Sequence, residues 1–146
     1  MLGTLAKWLR IYGFDTFYAN SEMDDSELIK TSKNENRVLI TRDKNLLQVA
    51  RKEKLKAIEI NTTDINEQIK KVLNQRKVDK SKVLSRCILC NTTIEEIKKD
   101  IVEKNVPKRV FLSNERFWFC PKCKKFYWKG THYENMIEKI KVSKNL

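Results

Sequence analysis

The first twelve residues place Leu2, Leu5, Ala6 and Leu9 at i, i+3, i+4 and i+7, the stripe of an amphipathic helix, and Gly13 stands where that helix needs a C-terminal cap. Lys7 and Arg10 fall off the stripe, toward solvent or a phosphate. Phe14 to Ala19, rich in aromatic and β-branched residues, predicts a short strand. A polar loop runs from Asn20 to Asp25, and Asp24 with Glu27 has the spacing of a capping box ahead of a helix through Leu28 and Ile29. Val38-Leu39-Ile40-Thr41 is a continuous apolar run of the kind buried on both faces of a sheet. Another helix follows at once, with Leu46, Leu47, Val49 and Ala50 on one side, and then a strand over Ala57 to Ile60. Asp64 and Glu67 open one more helix, carrying Ile65, Ile69, Val72 and Leu73. Strands alternating with helices predict an α/β domain with a parallel sheet over residues 1–80. The basic, weakly apolar stretch from Gln75 to Ser85 reads as its linker to a second domain over residues 81–146, which ends in a short helix from Glu134 to Ile140 and a basic tail.

Charge changes the picture more than core size does. The chain of 146 residues has 31 Lys+Arg against 19 Asp+Glu, a formal charge of +12, with 40% hydrophobic residues to build a core. Residues 1–80 carry +4 and residues 81–146 carry +8. A basic C-terminal part points to a polyanionic partner, most simply RNA or DNA, against the plainer alternative of a lysine-rich solvated surface. No run of 18 apolar residues predicts a membrane span, and no signal peptide begins at Met1. The expected location is the cytoplasm, where thiols stay reduced.

All four cysteines lie in two Cys-x2-Cys knuckles, Cys87/Cys90 and Cys120/Cys123. A two-residue gap lets both thiolates of a knuckle reach one ion, and two knuckles complete the tetrahedral shell of a structural zinc site. Two disulfides or unrelated buried cysteines are the alternatives. A four-cysteine shell leaves no open coordination position, so such a site holds structure and does not catalyse. The long segment between the knuckles predicts a ribbon with a hairpin or loop insertion.

Catalytic chemistry, if present, belongs at the carboxyl ends of the parallel strands. Asp43 follows the strand ending at Thr41, and Asp24 and Asp25 lie in the loop after Ala19. Carboxylates gathered at one edge can hold Mg²⁺ or Mn²⁺, which activates water for phosphodiester hydrolysis. Read from spacing alone, each aspartate more simply caps the helix that follows it.

Met1-Leu2-Gly3-Thr4-Leu5-Ala6-Lys7-Trp8-Leu9-Arg10, with Gly13-Phe14-Asp15, Asp25 and Arg37-Val38-Leu39-Ile40-Thr41-Arg42-Asp43, resembles the Mut-seven C-terminal ribonuclease family. So do Arg86-Cys87-x2-Cys90-Asn91 and Cys120-x2-Cys123 with Tyr127-Trp128-Lys129-Gly130-Thr131-His132. The resemblance covers nearly the whole chain in the right order. It implies a PIN-like nuclease domain joined to a zinc ribbon, with Asp25 and Asp43 as metal-binding acids and the four cysteines as zinc ligands. Members usually carry a strand ending in an aspartate just ahead of the Met-Leu-Gly segment. The sequence begins at Met1, so either the start is placed too late or the strand is lost; a true loss implies a sheet without its first strand, a weakened Mg²⁺ or Mn²⁺ site, and a gap open to a partner.

The expected protein is therefore an RNA binder of nuclease ancestry, with hydrolysis weakened or lost, acting in a ribonucleoprotein such as a ribosomal subunit beside ribosomal RNA and proteins. The rival is an active metal-dependent endoribonuclease using Asp24, Asp25 and Asp43. Phe117, Trp118, Phe119, Phe126, Tyr127 and Trp128 crowd the second knuckle, interleaved with Arg116, Lys122, Lys124, Lys125 and Lys129. The aromatics can stack bases or simply build the small core, and the cations, with Lys7, Arg10, Arg42 and Arg86, are the expected RNA contacts. His132, the single histidine, is expected to pack or to bond the backbone.

Overall fold

Aspartate starts three successive helices of the chain, and left-handed residues end three. The structure, a computed structural model, describes residues 2–19, 22–130 and 135. His132 and the helix expected over Glu134 to Ile140 lie outside the described residues. Two compact units are present, one comprising Met1–Ala6 and Phe17–Arg76, the other Lys7–Thr16 and Lys77–Leu146.

Helix α1 (Gly3–Ile11) contributes its first turn to one unit and the rest to the other. It ends in a Schellman turn: the Gly13 amide donates to the Arg10 carbonyl and the Phe14 amide to that of Leu9, with Gly13 at φ +96°. A Cβ at Gly13 would also stand 2.5 Å from the Lys82 carbonyl oxygen, so glycine is required there twice over.

In the first unit α2 (Asp25–Asn34) leads to β1 (Leu39–Thr41), α3 (Lys44–Lys52), β2 (Ala57–Glu59) and α4 (Ile65–Gln75). Strands β1 and β2 pair in parallel, Leu39 beside Ala57 and Thr41 beside Glu59, with α3 as the crossover. Leu39, Leu46 and Ala50 form one core cluster, packed by Leu28, Ile29, Leu55 and Ala57. The same Schellman pattern closes α2 at Asn36 and α3 at Lys54, both with positive φ. Val49, expected on the apolar side of α3, is 46% exposed, because the buried stripe runs through Leu46, Leu47 and Ala50.

No strand forms over Phe14 to Ala19, in correction of the sequence reading. The backbone there is spent elsewhere: the Thr16 amide donates to the Asn91 side chain and the Thr16 carbonyl accepts from Arg10. Phe17 and Tyr18 are left exposed.

In the second unit β3 (Glu95–Ile97), β4 (Phe117–Phe119) and β5 (Phe126–Tyr127) form an antiparallel sheet in that order. The inter-knuckle insertion carries two short helices, α5 (Lys99–Val102) and α6 (Lys108–Ser113). Among the described residues no helix is long and apolar enough to cross a membrane.

Candidate metal centre and basic ribbon

The two knuckles repeat one backbone design. The Cys87 carbonyl accepts from the Asn91 amide at 2.9 Å, and the Cys87 amide donates to the Thr92 carbonyl at 2.8 Å. In the second knuckle the Cys120 carbonyl accepts from Lys124 at 2.8 Å, and the Cys120 amide donates to Lys125 at 2.9 Å. Asn91 and Lys124, the fourth residue after the first cysteine in each case, both take left-handed φ, 71° and 59°. This tight loop turns the second thiol of each pair back toward the first.

The result is four free thiols whose sulfurs lie within 4.8 Å of one another, Cys90 and Cys120 at 3.5 Å. Sulfurs around a tetrahedral zinc stand about 3.8 Å apart, given Zn–S bonds of about 2.3 Å. The donor set therefore fits one metal ion, and the disulfide alternative is not realised. Cys87 and Cys120 are fully buried, Cys90 half-buried and Cys123 exposed. Without a metal the thiols share protons. Burial alone would push Cys90 up, but the Thr92 hydroxyl and amide and the neighbouring Cys123 and Cys120 hold it down at about 6. Its hydrogen bond with Cys90, and then burial, pushes Cys123 up to about 12. A bound cation replaces such shared protons, so metal uptake releases them.

Around this cluster sit residues for which the sequence suggested other roles. The Tyr127 hydroxyl lies 3.0 Å from Cys87 Sγ and accepts from the Ile88 amide at 3.2 Å, which leaves its own proton for the sulfur. Burial, then Cys87, raises the Tyr127 pKa, so the phenol stays a donor. Arg10 is 8% exposed; its Nη1 donates to the Ile88 carbonyl at 2.9 Å and its Nε to that of Thr16 at 3.0 Å. Asn91 bridges the Thr16 amide and Asp15, and Arg86 donates to the Asn91 carbonyl and lies 3.9 Å from Asp15. Strand alternation around Trp118 and Tyr127 was the available signal for the tyrosine; nothing local marked Arg10.

Among the expected RNA-contact residues, Arg10 is thus buried and committed to carbonyls, and half-buried Arg86 holds the knuckle. Arg116 is exposed but bidentate to Glu96, at 2.9 and 3.0 Å, with its guanidinium over Trp118. Lys129 lies over the same ring at 5.0 Å. Lys7, Lys122, Lys124 and Lys125 are exposed and Arg42 half-buried, and among the described residues none of these five has a carboxylate partner. Of the six aromatics that could stack bases or build the core, Phe117 is buried and the other five half-buried.

The acidic candidates are placed as helix caps. Asp24 forms a reciprocal capping box with Glu27 at the start of α2, and Asp25 is the exposed first residue of that helix. Asp43 Oδ1 accepts from the Asn45 and Leu46 amides, and its own amide donates to the Thr41 hydroxyl. Asp64, which no reading made catalytic, has the same bonds from Asn66 and Glu67 and the same donation to Thr62. Thr-x-Asp is therefore a repeated device joining each parallel strand to its helix. Among the described residues the four cysteines form a group of three or more ligating side chains, and no aspartate belongs to one.

A family model described as the Mut7-C RNAse domain matches residues 1–140. No curated protein and no solved structure gives a significant match.

Proposed function

The chain belongs to the Mut7-C RNAse domain family, and on that premise we propose that it is an RNA-binding protein with a PIN-like nuclease framework and weakened hydrolysis, organised at its basic end by structural zinc. The observation that carries this reading is the contrast between the two candidate centres. Four thiols converge on one point, whereas Asp24 and Asp43 serve helix starts and join no ligand cluster among the described residues. Cys87, Cys90, Cys120 and Cys123 would hold the zinc, and its chemistry there is to cross-link the ribbon. With four thiolate ligands the ion has no open position for substrate.

RNA is the partner that the family and the charge of +12 both favour. Lys7, Arg42, Lys122, Lys124, Lys125 and Lys129 are the cations we assign to phosphate contact, and Arg10, Arg86 and Arg116 to holding the fold. The setting we infer is a cytoplasmic ribonucleoprotein, such as a ribosomal subunit, where a small basic protein neutralises phosphates permanently.

The test is incubation of labelled structured RNA with the chain and Mn²⁺, alongside Asp43→Asn and Asp64→Asn, with binding followed in the same tubes. Asparagine caps a helix as well as aspartate does, so the two variants lose a charge without losing the cap. Tight, salt-sensitive binding without cleavage supports the proposal. Cleavage that disappears in Asp43→Asn and survives in Asp64→Asn replaces it with an active metal-dependent endoribonuclease in which Asp25 and Asp43 hold Mg²⁺ or Mn²⁺. Co-sedimentation with ribosomal subunits, or its absence, decides the inferred setting.

A further inference from the structure

Six aromatic side chains surround the second knuckle, and the register of the β3-β4-β5 sheet sorts them by face. Directly opposed residues of an antiparallel pair point the same way, and neighbours along a strand alternate. Trp118 is opposed to Tyr127, and both pack on the cysteine cluster. Phe119 is opposed to Phe126, so these two project from the other face, half-buried, with ring centroids 5.0 Å apart. Toward the other end of that face Phe117 is buried and stacked by Phe111 of α6. Over the Phe119 ring lies instead the ammonium of Lys124, 5.8 Å from the centroid.

We propose that Phe119 and Phe126 form a stacking platform for unpaired bases of single-stranded RNA, with Lys122 and Lys124 holding the adjacent phosphates. This rests on the RNA-binding reading above and adds to it the form of RNA recognised. An aromatic ring can take a base only where the π-face of that base is free, which a duplex denies and a single strand offers. Base–aromatic stacking outweighs an exposed cation–π contact, so a base displaces Lys124 from Phe119 and frees its charge for the phosphate beside it.

Charge argues for a nucleic acid on this face. Lys122 and Lys124 fall within the turn that joins β4 to β5, both exposed, and among the described residues neither is paired with a carboxylate; Lys125 of the same turn lies over the Tyr127 ring, on the cysteine side. The Cys120–Lys124 backbone bond sets the turn's shape, so the knuckle fixes the lysine backbone beside the platform. Glu95, the cross-strand partner of Phe119 on β3, is the acid of this face. It bounds the platform and places the phosphate path on the opposite, β5 side.

The experiment is fluorescence anisotropy with the full chain purified without chelator. The probes are a labelled 12-nucleotide RNA, the blunt duplex of the same sequence, and a polyglutamate peptide. The wild type is expected to bind the single strand more tightly than the duplex. Phe119→Leu/Phe126→Leu should weaken single-strand binding about tenfold and leave duplex binding unchanged. Lys122→Gln/Lys124→Gln should reduce the slope of log K against log salt by about 1.4, at about 0.7 per single-strand phosphate contact. Zinc content and circular dichroism check each variant, and Phe119→Leu alone repeats the measurement if the double variant loses its metal. Equal affinity for strand and duplex, or full single-strand affinity in the leucine variants, overturns the platform while leaving the RNA-binding reading intact. Preferential capture of the acidic peptide assigns the face to a protein partner. A wild type that binds neither RNA overturns both readings.

Discussion

Replacing Arg10 discriminates sharply between a structural and an RNA-contact cation. Its side chain spans two carbonyls, Thr16 and Ile88, the second lying between the two ligands of the first knuckle. A hydrogen bond from a charged donor contributes about 1.5–3 kcal/mol net. The two bonds share one side chain, and water reaches part of the site in the variant, so they do not add fully. Arg10→Met should therefore cost about 3 kcal/mol. For a chain of this size that lowers Tm by about 10 °C, at roughly 2–4 °C per kcal/mol. Arg10→Lys keeps the charge but cannot reach both carbonyls, and should cost about half as much. Metal retention should fall in parallel, because the Ile88 peptide is loosened, which a competition titration against a chelator reads directly. The slope of RNA affinity against salt should stay at the wild-type value in both variants. A fully stable Arg10→Met with a slope reduced by about 0.7–0.9, one phosphate contact, would refute the reasoning and return Arg10 to the RNA surface.

Tyr127→Phe removes the hydroxyl between Cys87 Sγ and the Ile88 amide. Metal affinity should fall about tenfold, in the range of outer-shell substitutions, with the fold retained; unchanged affinity in a chelator titration would rule the bond out as a support. Gly13→Ala forces a side chain into positive φ and against the Lys82 carbonyl, and should cost about 2 kcal/mol or more in denaturant unfolding. Glu96 has its pKa held below the ordinary 4.5, first by the hydrogen bond from Arg116. Its stabilising contribution is therefore complete above about 4.5 and is lost as pH falls through the lowered value. Glu96→Gln should flatten that part of the stability–pH curve and remove, at pH 7, the contribution that the wild type loses in acid.

The elements that the chain announces through period and caps are those in which local signals agree. Asp24, Asp43 and Asp64 each precede an apolar stripe, and the helices start there. The two Cys-x2-Cys pairs specify their own loop geometry, so the metal centre was legible from spacing. Phe14 to Ala19 failed as a strand for a non-local reason. Its strand-like composition was overruled by Arg10 and by Asn91, which lies 75 residues from Thr16. No periodicity reveals such a bond. Arg10 itself misled because an arginine off the apolar stripe of a helix ordinarily meets water, and here the chain returns to bury it. Trp118 and Tyr127 could have been separated from Phe119 and Phe126 by alternation alone, but only once their pairing was known.

Capping and catalysis are not exclusive for a carboxylate, and this determines what Asp43 can still do. Both of its capping bonds use Oδ1, which fixes the carboxylate plane and leaves Oδ2 for a cation. Mg²⁺ is commonly held by one or two carboxylates, with substrate phosphates completing the shell. An RNA bound beside Asp43 would supply oxygens that the protein alone does not gather. The helix cap alone does not exclude hydrolysis, which would require RNA to bring its phosphates to the start of α3. Asp64 is the internal reference, since it has the same Thr-x-Asp geometry at the start of α4. Any effect common to the two asparagine variants belongs to the helix caps, and any effect confined to Asp43 belongs to the chemistry.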